Sequence, residues 1–155
     1  MSLVRWRTQP INIESFSYWG IKSLEHDDHS TVSTLQKAAE LKQRTKLFAI
    51  RIVKLFRSLP HTPDAQTLGK QVLRSGTSVA ANYRAVCRAR SKAEFISKMG
   101  IVVEETDETV FWLELLNETG VLRPERSLDL LKEANELLAI FGASLRNSKQ
   151  FSMTK

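Results

Sequence analysis

The stretch SLPHTPDAQTLGKQVLRSGTSVAANYRAVCRARSKAEF, residues 58–95, closes one helix, carries a second and opens a third. Pro60 and Pro63 stop the apolar repeat that precedes them, because proline removes a backbone donor and its ring clashes with the preceding turn. Thr62 then stands at a capping position, Pro63 at the first helical position and Asp64 in the first turn, which is how helices begin. From there Leu68, Val72, Val79, Tyr83 and Val86 or Cys87 recur at helical steps, so the spacing predicts a helix to about Arg90. Ser91 followed by Glu94 has the spacing of a capping box and predicts a new start. Inside the second helix, Ser75-Gly76-Thr77-Ser78 and Ala80-Ala81 are small residues that cost helix propensity but let a neighbouring helix come close.

Working outward, the segment from about Thr34 repeats Leu41, Phe48, Ile52, Leu55, Phe56 and Leu59 at three- and four-residue steps, with Lys42, Lys46, Arg51, Lys54 and Arg57 on the opposite face. Downstream, the third helix is expected to bury Phe95, Met99, Val102, Thr106, Val110, Leu113 and Leu116 or Asn117, and to end at Gly120. Pro124 and Glu125 open a fourth, whose expected stripe is Leu128, Leu131, Asn135, Leu138, Phe141 and Leu145. No segment alternates as a strand between hairpin turns. Short loops between long amphipathic helices predict an all-α, antiparallel up-down four-helix bundle over residues 34–147, with a polar tail at 148–155. Residues 1–33 read as a poorly ordered extension, mixing Pro10, Gly20, the cluster Glu25-His26-Asp27-Asp28-His29-Ser30 and the aromatics Trp6, Phe16, Tyr18 and Trp19 without a period.

At 155 residues, 42% hydrophobic and 26% charged, the chain has the size and apolar content of one globular domain rather than of a disordered polypeptide. It holds no apolar run of the roughly 18 residues that span a bilayer, and its start lacks the features of a secretory signal. The expectation is a cytoplasmic protein with no membrane partner. A single cysteine, Cys87, excludes an internal disulfide and a cysteine metal cluster. The net charge of +6 is unevenly spread, with the first two helices basic and the third acidic. Part of the charge is therefore available for self-pairing between faces.

The chemistry-bearing patterns are mostly absent. His26 and His29 around Asp27-Asp28 have metal-ligand chemistry, but a solvated polar loop accounts for them, and neither metal nor cofactor is expected. His61 and Arg57 are too close, with Pro60 between them, to match an Arg and His arranged on one helix as in some bundle ribonucleases. There is no Glu-x-x-His, no phosphate-binding glycine loop and no nucleophile elbow. Cys87 sits at an expected core position without an adjacent base. The carboxylates Glu104, Glu105, Asp107, Glu108, Glu114 and Glu118 find a simpler role in ion pairs with Arg74, Arg84, Arg88 and Arg90 than in hydrolysis.

What remains is binding. Lys46, Arg51 and Lys54 on the first helix, with Lys70, Arg74, Arg84 and Arg88 on the second, form a basic array suited to phosphate contacts. Trp112, beside Phe111, suits either the core or a subunit interface.

Leu73-Arg74-Ser75-Gly76-Thr77-Ser78-Val79-Ala80-Ala81-Asn82, followed by Arg90-Ser91-Lys92-Ala93-Glu94-Phe95, resembles the four-helix bundle proteins of the 23S rRNA intervening-sequence (S23-type) family over about residues 38–146. Arg74, Ser75, Ser78, Asn82, Arg90, Ser91, Phe95 and Glu108 occupy matching positions. The family's Ala-Glu-Gly step after the Asn is replaced here around Arg84-Ala85-Val86, and its Gly-Ser pair in the third helix by Glu104-Glu105. The resemblance implies a bacterial, non-enzymatic, ring-like homo-oligomer, typically a pentamer. A related bundle serves diversity-generating retroelements by binding nucleic acid and a reverse transcriptase. The reading is therefore a bundle that binds RNA or another polyanion through its basic face, with a protein-interaction scaffold, its basic and acidic faces spent on assembly, as the alternative.

Overall fold

A computed structural model describes residues 28–150, with side chains from Leu35 onward. Four helices follow one another: α1 (Asp28–Arg57), α2 (Pro63–Val86), α3 (Lys92–Glu118) and α4 (Pro124–Gln150). Each packs antiparallel on the next, and α1 meets α4 to close an up-down bundle. Helix α1 thus begins at Asp28, inside the stretch assigned to the extension, and α4 continues past residue 147 to Gln150. The aromatics before Gly20 and the His26–His29 cluster lie outside the residues whose side chains are described.

The helix boundaries follow the local chemistry. Pro63 occupies the first turn of α2, with Asp64 beside it. Ser91 caps α3 by accepting a hydrogen bond from the Glu94 amide at 3.1 Å, while the Glu94 carboxylate accepts from the Arg90 amide at 2.8 Å. Gly120, at φ 74°, takes the left-handed conformation that turns the chain after α3.

The core is a continuous apolar column. Phe48, Ile52, Val79, Val102, Leu113, Leu116, Leu137 and Phe141 are fully buried, and Tyr83 packs on Phe141 with ring centroids 5.4 Å apart. Each such large side chain contributes roughly 1.5–3 kcal/mol by leaving water. Two glycines of α2 set its distance from α1: a Cβ on Gly76 would lie 2.7 Å from Ile52 Cγ1, and one on Gly69 would lie 2.5 Å from Leu59 Cδ1. Across the bundle, Arg44 Nε and Nη2 of α1 reach Glu133 of α4 at 2.7 and 2.9 Å, and Nη2 also reaches Glu136 at 2.6 Å. These hydrogen bonds hold the Arg44 pKa above its ordinary value against the opposing cost of burial.

Helix α4 differs from expectation in register. Its buried face is Ser127, Leu130, Ala134, Leu137, Phe141 and Ser144, while Leu128 is 65% exposed and Asn135 faces solvent. The leucines at 131, 138 and 145 lie half-buried on the flank. Ser127, Ala134 and Ser144 take inward positions between Leu130, Leu137 and Phe141, so the most apolar stripe is not the most buried one.

Candidate polyanion interface: the cleft between α1 and α2

On the outer side of the α1–α2 pair the two helices enclose an open cleft of about 660 Å³. Its floor is Ala49, Ile50, Val53, Ala80 and Ala81, and its rims are Lys42, Lys46, Lys54 and Arg57 from α1 with Arg84 and Arg88 from α2. The small residues of α2 noted in the sequence explain the depth: glycine on the inner face brings the helices together, and alanine on the outer face leaves the furrow between them unfilled. Because Gly76 lies on Ile52 and Gly69 on Leu59, the antiparallel pairing sets Arg84 and Arg88 beside Lys42 and Lys46. Lys54 and Arg57 stand at the other end.

All six rim cations are exposed. Among the described residues, none of the six makes an ion pair, whereas Arg44, Arg74, Arg90 and Lys98 all do. Cations crowded around an apolar floor, with no carboxylate beside them among the described residues, leave a local positive potential that attracts anions.

Of the residues singled out for binding, Lys46, Lys54, Arg84 and Arg88 line this cleft. Arg51 and Lys70 are exposed but lie outside it. Arg74 points the other way, onto α3, where it bonds Glu108 and lies 3.4 Å from Glu105. Burial pushes the Glu105 carboxyl up, with Arg74 pulling it back down. Lys42 and Arg57 complete the cleft. Both sit on the basic face visible in the sequence, but only the pairing of α1 with α2 separates cleft positions from the rest of that face.

The residues of the S23-type pattern are mainly structural. Ser75 is fully buried and receives the Thr109 hydroxyl at 3.0 Å. Asn82 donates from Nδ2 to the Ser78 carbonyl one turn back at 3.0 Å. Phe95 belongs to the core, and Arg90 and Ser91 form the start of α3. Cys87, next to the cleft, has its thiol pKa raised by burial, an effect that Tyr83, Lys42 and Arg88 oppose.

A second surface lies on α3. Its outer face exposes Ile101, Glu104, Asp107, Glu108, Phe111, Glu114 and Glu118. Phe111 is 52% exposed and meets the half-buried Trp112 edge-on at 4.8 Å between ring centroids. The Trp112 Nε1 is buried without an acceptor among the described residues. Among the described residues no group of three His, Cys, Asp or Glu side chains is placed to hold a metal ion, and no helix is long and apolar enough to cross a membrane.

Comparison with known proteins places this architecture. No curated protein is significantly similar to the chain. A solved structure of a protein of unknown function from the S23 ribosomal protein family of Bacteroides thetaiotaomicron is similar, with 36% identity and a TM-score of 0.63, covering 67% of this chain and 96% of that one. The model of the 23S rRNA-intervening sequence protein family matches residues 37–143, from the first half of α1 to the end of the α4 core. With the bundle, the capped helices and the matching α2–α3 sequence in hand, the chain belongs to the 23S rRNA-intervening sequence protein family.

Proposed function

We propose that this protein is a non-enzymatic, self-associating bundle that binds RNA or another polyanion through the α1–α2 cleft. The observation that carries the reading is the set of six cations, none in an ion pair among the described residues, around an apolar floor. Phosphate contacts from such an array dominate affinity and release counterions, so binding weakens steeply as salt rises. The exposed Phe111, with Ile101 on the same largely acidic face, supports self-association, since aromatic residues are enriched at interfaces and anchor them.

The test is fluorescence anisotropy with a labelled oligouridylate across a salt series. Arg84→Glu with Arg88→Glu abolishes binding at moderate salt, and Lys46→Ala lowers the log–log salt slope by about 0.7, the loss of one single-strand phosphate contact. Arg74→Gln, which removes an internally paired cation, leaves the slope unchanged. Equal loss from Arg74→Gln and from the cleft variants would refute the cleft as the site.

A further inference from the structure

Two surfaces of this chain are complementary in charge, in apolar content and in length. The cleft runs from Lys42 to Arg57, roughly 22 Å along the helix axis, with cations at both ends and Ala49 and Ile50 at its middle. The outer ridge of α3 runs from Glu104 to Glu118, roughly 21 Å, with acids at both ends and Phe111 at its middle. Glu104, Asp107, Glu114 and Glu118 make no ion pair among the described residues, so the ridge carries unspent negative charge just as the cleft carries unspent positive charge. Within one chain the two surfaces cannot meet, because α2 lies between the cleft and α3.

We infer that the α3 ridge of one copy docks in the α1–α2 cleft of a second, with Phe111 on the Ala49, Val53, Ala80 and Ala81 floor and the acids of the ridge against the cationic rims. This deepens the self-association proposed above and rests on that reading. An amphipathic helix laid into a groove is an efficient recognition mode because the anchor buries apolar area while the flanking charges set the register. The contact is head-to-tail, since it joins different surfaces of the two copies. Polyanion and second copy then share one acceptor: nucleic acid that occupies the cleft displaces the ridge, and the assembly dissociates as the polyanion binds. Neutralising the rim by either route satisfies the same cations, so the two occupants are mutually exclusive.

The experiment is sedimentation velocity of the full chain with three variants, alone, mixed and with oligouridylate. Phe111→Ala is expected to weaken self-association about thirtyfold, the effect of losing a central aromatic anchor. A ridge-reversed variant, Glu104→Lys with Glu114→Lys, and a cleft-reversed variant, Lys46→Glu with Arg84→Glu, are each expected to sediment as monomers. Mixed together they are expected to associate again, because each then meets an opposite charge on the other; this recovery also shows that both variants fold. Oligouridylate lowers the mass of the wild-type assembly, and it binds the ridge-reversed but not the cleft-reversed variant.

Wild-type protein that associates while the ridge-reversed variant associates equally well overturns the inference and leaves self-association intact. The inference falls in the same way if oligouridylate adds to an undiminished assembly, or if the reversed variants fail to recover on mixing. A wild type that stays monomeric at every concentration overturns both the inference and the self-association beneath it. Charge-dependent association with no oligouridylate binding supports the ridge-in-cleft contact and refutes the polyanion reading alone.

Discussion

The Thr109 hydroxyl of α3 donates to Ser75 Oγ of α2 at 3.0 Å, and both residues have no solvent exposure. Ser75 in turn bonds the Gln71 carbonyl at 3.0 Å, so a short polar chain crosses from α3 to α2 through the buried interior. Thr109→Val keeps the shape and deletes the hydroxyl. It is expected to cost about 1 kcal/mol in urea denaturation, the net worth of one buried hydrogen bond. A larger loss would mean that this contact also fixes the α2–α3 crossing.

Glycines 76 and 100 are both helical but sit in opposite surroundings. A Cβ at position 76 collides with Ile52, whereas one at position 100 meets nothing within 4 Å among the described residues. Gly100→Ala is therefore expected to stabilise by about 1 kcal/mol through helix propensity alone. Gly76→Ala is expected to destabilise, by about 1–3 kcal/mol, because Ile52 is fully buried and has nowhere to move. Thermal melts of the two variants should shift in opposite directions.

Ser144 on α4 is 2% exposed, and its hydroxyl has no hydrogen-bond partner among the described residues. Removing an unsatisfied buried hydroxyl recovers its desolvation cost, so Ser144→Ala is expected to stabilise by about 1 kcal/mol in chemical denaturation. Ser127→Ala provides the contrast. That hydroxyl bonds Asn117 Oδ1 at 2.7 Å, and its loss is expected to destabilise.

Burial pushes the Cys87 thiol above its ordinary pKa. The folded thiol keeps its proton at a pH where the unfolded chain has begun to lose it, so this residue's contribution to stability falls as pH rises through the ordinary thiol value. Alkylation by iodoacetamide is expected to be slower than in the denatured chain at every pH up to that value, with its midpoint displaced to the alkaline side. A midpoint on the acidic side would show that Lys42 and Arg88 outweigh burial.

Much of this fold can be read in the chain because its helix ends are written in local chemistry. Pro63, Ser91 with Glu94, Gly120 and Pro124 each act within one turn, and no distant residue is needed to interpret them. The α4 register escapes such a reading for the opposite reason: Ser127, Ala134 and Ser144 face the core because neighbouring helices leave only small spaces there, and a hydrophobic stripe cannot register a serine that packs. The binding array divides the same way. Arg74, Arg84 and Arg88 share a basic stripe in sequence, but the carboxylates that spend the charge of Arg74 lie on another helix, at Glu105 and Glu108. Lys42 and Arg57 become rim residues only once α1 is laid against α2.

The contact of Gly69 and Gly76 with α1 has a meaning beyond stability. Because the glycine backbone of one helix rests on the buried Ile52 side chain of the other, the gap between the lysines of one rim and the arginines of the other is a closely held gauge. A single methyl group added at position 76, on the buried side of the helix pair, would widen that gauge. An interior change that costs stability would then also surface on the outside, as a different reach between the two basic rims.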